Sequence, residues 1–389
     1  MMDLDRLANS PIGRLVPISG VTPGTGDTWR YHAFVPQPLP VTPALDMAAL
    51  NSASKAAMEV ARLDQAVSQL PNPRILVRPV VRREAASTAA LEGTYATFGD
   101  VLEADFLEDR QLSSEQREIR NYVNATEKGV ELLDTYPISV GLVSHLQEIL
   151  VRGTSSEAYD SGGLRQRQVY IGPRNRPISE ARYVPPPEGM ILVEGMSDWE
   201  KWVNTASDVP LVAKIALAHY QFESLHPFSD GNGRIGRLVA LLQLIQEGIL
   251  RVPILNISSW LEHNRQEYLD SMLEVTMSGS YDKWVAFFSE AVGSQAKAGI
   301  AQIDGLLGLK SQMITELRAA GIRGSALEVA ENLIGYPVID VRTAQSMIEK
   351  SFEAANNAIS RLVEQGILHE ITGRTTNRLF ACRRVLQLV

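Results

Sequence analysis

A twelve-residue stretch, HPFSDGNGRIGR (226–237), carries the residue types that phosphate chemistry needs. Gly231 and Gly233 lack Cβ atoms, so the backbone there can adopt positive φ and approach a ligand closely, and Asn232 tolerates the same region. Because this bend precedes a predicted helix, unpaired N–H groups and the helix dipole both favour a bound phosphate. The sequence therefore predicts an anion-binding nest at the start of a helix.

Charged side chains surround this predicted nest. Arg234 and Arg237 stand three residues apart, hence on one helical face, and guanidinium groups bind phosphate oxygens in pairs, which favours ATP or another polyphosphate. Asp230 offers a hard oxygen for Mg²⁺ bridging two phosphates. His226 has an imidazole that titrates near neutrality and can take a proton from an attacking hydroxyl. We therefore predict a catalytic base beside a nucleotide phosphate.

Two other interpretations of the loop are weaker. Gly231, Gly233 and Gly236 also satisfy G-x-G-x-x-G, but a dinucleotide site needs a preceding strand and an acidic residue about twenty positions later. The preceding AKIALAHYQFESLHPF is predicted to be helical, and ILRVPILNISS downstream carries no carboxylate. An isolated histidine is more often packed or solvated than catalytic, so the twelve-residue pattern, and not His226 alone, carries the prediction. Phe228 is expected to anchor the loop in the core.

The pattern matches H-x-F-x-[DE]-G-N-G-R-x-x-R, and on this motif the chain resembles the Fic family of protein adenylyltransferases. The segments YHAFVPQPLP, REAASTAALEGT, YIG...ARYVPPP and WLEHNRQEYLDSML are also similar to Fic proteins with an N-terminal Fic-associated region, so the resemblance covers most of residues 30 to 295. It implies transfer of AMP from ATP, with Mg²⁺, to a Tyr, Thr or Ser hydroxyl of a protein, this chain itself included. UMP or phosphocholine transfer, phosphorylation and AMP removal on the same scaffold remain alternatives.

The resemblance assigns roles to individual positions. It implies His226 as the base, Asp230 as the Mg²⁺ ligand, Gly231, Asn232 and Gly233 as the anion hole, Arg234 and Arg237 as phosphate ligands, and Asn264 as a neighbour of the nucleotide base.

Two further segments resemble regulatory and docking parts of the family. Thr88, Glu92 and Gly93 match the inhibitory pattern [ST]-x-x-x-E-[GN], which implies that Glu92 pairs with Arg237 in the place of the γ-phosphate and keeps resting activity low. The two short β-like runs from about Val169 to Tyr183 form a predicted hairpin that resembles the Fic flap, which holds the target as an added strand. Its predicted docking edge comprises Gln168, Val169, Tyr170 and Ile171.

Helical elements must position these residues. Of 389 residues, 45% are hydrophobic and 6% aromatic, a composition typical of a soluble helical protein of two or three domains. We expect a mostly α fold: an N-terminal arm and Fic-associated helical region (1–113), a Fic-type helical core with the β-hairpin flap (114–300), and a C-terminal winged helix-turn-helix (301–389). The Pro- and Gly-rich residues 1 to about 45 predict an irregular, extended wrapping arm.

Charge and cysteine content restrict the partners. The net charge of −8 argues against coating nucleic acid or an anionic membrane, and the single cysteine, Cys382, fits a reducing compartment. No signal peptide or membrane span is apparent, since LVALLQLIQEGILRVPIL is interrupted by polar residues and reads as a buried core helix, so we expect a cytoplasmic enzyme. Residues 320 to 389 contain eight Lys/Arg and seven Asp/Glu, so this region has almost no net charge. A nearly neutral region favours protein contact or homodimerisation over DNA binding. A DNA-binding regulator that merely senses nucleotide stays as the third hypothesis.

Overall fold

The computed structural model describes residues 2–21, 26, 28–68, 74–173 and 176–388. The fold is mostly helical, which confirms the predicted class. The elements are α1 (Leu4–Ala8), β1 (Gly13–Val21), β2 (Thr28–Pro36), α2 (Met47–Ser68), α3 (Arg74–Leu91), α4 (Phe98–Glu103), α5 (Ser114–Leu133), α6 (Val140–Val151), α7 (Met190–Asn204), α8 (Leu211–Leu225), α9 (Asn232–Gln246), α10 (Ile257–His263), α11 (Arg265–Ser278), α12 (Asp282–Ala319), α13 (Ser325–Asn332), β3 (Val338–Ile339), α14 (Val341–Ile348), α15 (Phe352–Glu364), β4 (His369–Glu370), β5 (Phe380–Ala381) and α16 (Arg383–Leu386).

Helices α8 and α9 form the centre of the molecule. In α8, all but Leu211 and Glu223 of the fifteen residues are buried, and α9 is buried from Asn232 to Leu244 except at Gly233. A helix that is apolar around most of its circumference lies inside a protein. The buried core helix predicted from the most apolar stretch is confirmed in its first half, which lies in α9, but was wrong beyond Gln246, where the helix ends. Within the described part of the chain, no helix has both the length and the apolar character needed to cross a bilayer.

The N-terminal arm is more regular than the sequence predicted. It contains the short helix α1 and a two-stranded antiparallel sheet in which Gly13 pairs with Pro36 and Val21 with Thr28. The prediction of an irregular segment was wrong, because the aromatic and β-branched residues of both strands outweigh the prolines and glycines between them. Phe34 is fully buried, and its N–H donates to the Val184 carbonyl over 2.9 Å. The arm therefore packs against the base of the predicted flap.

The predicted flap folds back on itself through a single antiparallel bridge between Ile171 and Tyr183. The Ile171 N–H donates to the Tyr183 carbonyl over 2.8 Å, and the Tyr183 N–H donates back over 3.1 Å. A 3₁₀ turn, Ile178–Glu180, occupies the returning arm. The tip of the predicted GPRNRP turn, residues 174 and 175, lies outside the described residues. The pairing expected of a hairpin is present, but it is one bridge and not a ladder.

The C-terminal residues form the helices α13, α14 and α15 and a small sheet. Helix α15 begins after Ser351, whose hydroxyl accepts from the Ala354 N–H over 3.2 Å, and β4 and β5 pair antiparallel. The sequence did not predict β3, which completes a sheet of order β3-β5-β4. Helix α12 runs without a break across the predicted boundary between residues 300 and 301. The division into domains and the winged-helix assignment stay predictions.

Candidate active site

The motif loop connects the two central helices, and its backbone is held by its own side chains. His226 follows the last residue of α8 and adopts the left-handed conformation with φ 48°, and Gly231 does so with φ 83°. The Asn232 side chain binds Phe228 twice, accepting from its N–H and donating to its carbonyl, each over 2.8 Å. Phe228 is fully buried, as predicted.

The expectation that Asn232 shares the positive-φ region was wrong. Asn232 is the first residue of α9, and His226 is the motif's non-glycine residue with positive φ. The Asn232 amide is already used to close the loop, so only its backbone N–H is free to face a ligand. The physical reason is that an amide can satisfy both polar groups of one peptide unit, whereas a loop with these groups buried and unpaired would be costly.

His226 lies where a neutral base would be needed. Burial, followed by the positive charge of Arg165, lowers the pKa of His226 to about 4. Its Nδ1 lies 4.0 Å from a carboxylate oxygen of Glu223. Burial also raises the pKa of Glu223 to about 7, against the opposing charge of Arg237. The imidazole is therefore unprotonated at neutral pH and can accept a proton.

Arg237 is buried and bound to the end of helix α3. Its Nε donates to the Thr88 hydroxyl over 2.7 Å, and its Nη2 donates to the Thr88 carbonyl over 3.2 Å and to Glu92 Oε1 over 2.7 Å. Burial disfavours the charged form of both side chains, but the attraction between Glu92 and Arg237 is stronger than this effect. The pKa of Glu92 is therefore lowered and the pKa of Arg237 is raised. The structure thus brings together the residues that the inhibitory pattern named.

The neighbouring glycines allow this ion pair to form. Helix α3 ends at Leu91, and Gly93 turns the chain with φ 92°. A Cβ on Gly233 would lie 2.3 Å from Glu92 Oε1 and 2.9 Å from an Arg237 nitrogen. Gly233 itself does not have positive φ, so it is needed for close approach and not for its backbone conformation.

Arg234 binds a carboxylate that sequence reasoning did not identify. Its side chain is buried and donates to Glu118 Oε2 on α5 over 2.9 Å and to the Ser156 hydroxyl over 3.4 Å. Thr94, just after the inhibitory segment, donates to the same Glu118 oxygen over 3.0 Å. Glu118 lies 116 residues before Arg234, and no spacing rule connects positions so far apart.

Asp230 presents a half-exposed carboxylate at the start of α9. One oxygen accepts from the Gly231 N–H over 2.6 Å and lies 3.6 Å from Arg234. No group of three or more His, Cys, Asp or Glu side chains suited to a metal occurs among the described residues. A single carboxylate is nevertheless what Mg²⁺ takes from many nucleotide enzymes, because substrate phosphates and water supply the other ligands. Asp230 therefore fits an ion that arrives with the nucleotide.

A cavity of about 180 Å³ opens beside the loop. Its polar end is formed by Glu92, Gly233, His226 and Arg237, and its apolar wall comes from helix α11 and the flap. The α11 residues that line it are Arg265, Tyr268, Leu269, Met272, Leu273 and Thr276. Asn264 donates instead to the Trp260 carbonyl over 2.9 Å, and its proximity to a nucleotide base stays a prediction.

The predicted docking edge runs along the entry to the flap. The Gln168 amide donates to the carbonyls of Val169 and Pro185 over 2.8 and 3.1 Å. The ring of Tyr170 is exposed, and its hydroxyl binds the Arg176 carbonyl. Ile171 forms the bridge and lines the cavity, so the edge leads directly to the site.

Family models match two adjacent parts of the chain. The model for the Fic/DOC family N-terminal region matches residues 50–131, and the model for the Fic/DOC family matches residues 137–244. The second match includes the whole motif loop and α9 to Leu244.

Curated relatives and solved structures are similar to this chain. The protein adenylyltransferase Fic of Culex quinquefasciatus is 28% identical over 202 residues, which are 49% of this chain and 35% of that protein. The protein adenylyltransferase fic-1 of Caenorhabditis elegans is 29% identical over 181 residues, 46% of this chain and 32% of that protein. The chain thus spans about a third of the length of these relatives. A Fic family protein from Desulfovibrio desulfuricans has a similar fold, with a TM-score of 0.58 at 19% identity over 88% of this chain and 98% of that one.

Proposed function

Because the chain belongs to the Fic/DOC family, we propose that it is a protein adenylyltransferase that moves AMP from ATP to a Tyr, Thr or Ser hydroxyl of a protein. One observation carries the proposal: the unprotonated imidazole of His226, the start of helix α9 and the guanidinium of Arg237 meet at one cavity. The names of the similar curated proteins support the same activity.

The site suits an in-line transfer. His226 takes the proton from the target hydroxyl, whose oxygen attacks the α-phosphorus, and the bond from that phosphorus to the β-phosphate oxygen breaks to release pyrophosphate. Gly231, Asn232 and Gly233 line the phosphate site at the N-terminus of α9. The Asn232 and Gly233 N–H groups face the phosphates, while the Gly231 N–H is bound to Asp230. Arg234 and Arg237 stabilise the charge on the phosphate chain. Positioning and electrostatic stabilisation then supply most of the rate.

Asp230 would hold the Mg²⁺ that accompanies ATP. When bound, the ion supplies neutralisation of phosphate charge. The carboxylate is half-exposed and faces the loop, so it can bind an ion that enters with the nucleotide.

The enzyme is held in a low-activity state by Glu92. Its carboxylate binds the guanidinium of Arg237, which the γ-phosphate would otherwise bind. Thr88, on the helix that precedes Glu92, holds the same guanidinium in place. Gly93 ends the helix so that the carboxylate reaches the site. ATP that binds while this ion pair is intact takes an unproductive orientation.

The target binds along the flap. Gln168, Val169, Tyr170 and Ile171 form the edge on which an added strand would lie, since the Val169 and Tyr170 N–H groups donate to no other described residue. The hydroxyl to be modified would then reach the cavity past Ile171.

Transfer from differently labelled nucleotides tests this function. The Glu92→Gly variant, incubated with Mg²⁺ and a cell lysate, is expected to place label on protein from α-³²P-ATP and not from γ-³²P-ATP. His226→Ala should abolish the label, whereas the matched control His145→Ala, on an exposed histidine of α6, should leave it unchanged. Mass spectrometry then locates the modified peptide. Label from γ-³²P-ATP alone would show a kinase, and label from UTP alone a uridylyltransferase; either result overturns the proposal.

A further inference from the structure

We propose that Arg165 is a positioning residue for the catalytic base, one that connects the flap to His226 through the carbonyl of the base itself. The inference rests on the proposed function, since it presumes that His226 acts on a bound hydroxyl.

The guanidinium of Arg165 joins three separate segments of the backbone. Its side chain is among the largest that are fully buried. Nε donates to the His226 carbonyl over 2.9 Å, Nη1 donates to the Arg167 carbonyl over 3.2 Å, and Nη2 donates to the Pro186 carbonyl. The Arg165 N–H also donates to the Pro227 carbonyl over 2.9 Å. One residue thus holds both arms of the flap and the first two peptide units of the motif loop.

This arrangement needs an arginine. A guanidinium offers five N–H donors in a rigid planar fork, whereas an ammonium is a point charge that cannot direct donors to three segments at once. No salt bridge joins Arg165 to a carboxylate in the part of the chain that the structure describes. Burial lowers its pKa to about 10, so it stays charged at neutral pH. Glu188 and Asp160 stabilise this charge electrostatically without forming a salt bridge with it. Burying a charge that has no salt bridge is costly, and a neutral side chain could fill the same space at a lower cost in free energy.

The bond to the His226 carbonyl acts at a strained point. His226 has positive φ, a conformation that is strained for a non-glycine residue and that persists only where neighbours enforce it. Because the orientation of a peptide unit restrains the adjacent Cα–Cβ direction, the contact made by Arg165 also restrains the direction in which the imidazole leaves the backbone. The charge of Arg165 has a second effect, since it disfavours the protonated ring.

The ring is surrounded by charges of both signs. Arg165 faces it from the flap base, Glu223 from α8, Glu92 from the end of α3 and Asp230 from the loop. The carboxylates Glu92 and Asp230 favour protonation, and burial together with Arg165 outweighs them. Removing the positive charge alone should therefore shift the balance towards the protonated ring.

The same side chain lies next to the docking edge. Arg167, whose carbonyl it binds, directly precedes Gln168, and Pro186 closes the returning arm. A target strand on the flap is thus connected to the base through one guanidinium. A substitution at Arg165 should affect both the use of the target and the orientation of the base.

Two substitutions separate the roles of shape and charge. In the Glu92→Gly background, Arg165→Lys keeps the charge but loses the fork, so we expect kcat to fall about tenfold to hundredfold with the acid limb of the pH profile unchanged. Arg165→Met loses both the charge and the fork. The fall of kcat on the acid side of the pH profile should therefore also move to higher pH. Arg167→Met, on an exposed neighbour whose carbonyl is retained, is the matched control and should behave like the parent.

A readout independent of catalysis separates this inference from the proposed function. In ¹H–¹⁵N spectra of the imidazoles, assigned by comparison with His226→Ala, Arg165→Met should raise the pKa of His226 from about 4 towards 6.5, and Arg165→Lys should not. Absence of label transfer in the parent would sink the proposed function but leave this titration interpretable. Unchanged titration and unchanged kcat in Arg165→Met, with only thermal stability lowered, would reduce Arg165 to a structural residue and overturn the inference.

Discussion

Replacing Glu92 by glutamine is expected to raise the rate of AMP transfer at limiting ATP. Glutamine keeps the volume of the side chain but removes the charge that pairs with Arg237 across 2.7 Å. Under the proposed inhibition, the γ-phosphate has to displace this carboxylate before ATP binds in a productive orientation. Breaking the ion pair therefore weakens productive ATP binding in the wild type by the free energy of that pair. Most of this loss should be absent in the variant.

The size of the effect follows from the exposure of the two partners. Arg237 is 2% exposed, which favours a strong interaction, but the Glu92 side chain is 41% exposed and is screened by water. A hydrogen bond to a charged group contributes about 1.5–3 kcal/mol when buried, whereas an exposed pair contributes about 1 kcal/mol or less. A contribution between these two values, about 1–2 kcal/mol, corresponds to an increase of roughly fivefold to thirtyfold in kcat/KM for ATP.

The assay measures initial rates of label transfer from α-labelled ATP at concentrations below KM. Glu127→Gln, on the exposed face of α5, is the matched control and should equal the wild type. ADP lacks the γ-phosphate, so its inhibition constant should change less than the KM for ATP. Equal rates for Glu92→Gln, Glu127→Gln and wild type would refute the inhibitory role. An equal gain in affinity for ADP and ATP would instead refute the placement of Glu92 in the position of the γ-phosphate.

Three further substitutions test the packing around the site. Thr88→Val leaves the buried Nε of Arg237 without an acceptor, so urea unfolding should show a loss of about 1–3 kcal/mol, whereas Thr88→Ser should not. Gly233→Ala places a Cβ 2.3 Å from a carboxylate oxygen of Glu92; label transfer should fall at least about tenfold even though the inhibitory pair is disturbed, because the methyl group also enters the phosphate nest. Burial, then the charge of Arg237, lowers the pKa of His219 to about 3, so the unfolded state takes up a proton first as pH falls below 6.5 and stability declines. His219→Gln should reduce the loss in the free energy of unfolding between pH 7 and 5.5 by about 1.3 kcal/mol, and an unchanged loss would contradict this.

The part of the site that the sequence could predict is the part made from consecutive residues. The glycines, the two arginines, Asp230 and His226 lie within twelve positions, so chain connectivity alone keeps them together. The inhibitory residues were predicted through resemblance and not through spacing, because Glu92 and Arg237 are 145 residues apart. Nothing in the helix around Glu92 distinguishes it from an ordinary surface carboxylate.

The residues that the sequence did not predict act through long-range contacts. Glu118 and Arg165 occupy an ordinary amphipathic helix and a turn-rich segment, and their importance appears only when the fold places them against Arg234 and the His226 carbonyl. The N-terminal strands were missed for a related reason. Their prolines and glycines dominate local rules, but a nine-pair ladder and the burial of Phe34 against Tyr183 decide the structure.

The contacts around the site divide it into a fixed part and a part that must move. The motif loop is held by Asn232 from within and by Arg165 from outside, through backbone groups of Phe228 and His226. The proposed phosphate site on this loop is therefore fixed by contacts within the protein. Arg237 differs, because its Nη2 is shared between Thr88 and Glu92 at the very place where a phosphate oxygen would bind. If Glu92 inhibits as proposed, activation requires its carboxylate to leave Arg237, which is why a single substitution at Glu92 is expected to raise activity.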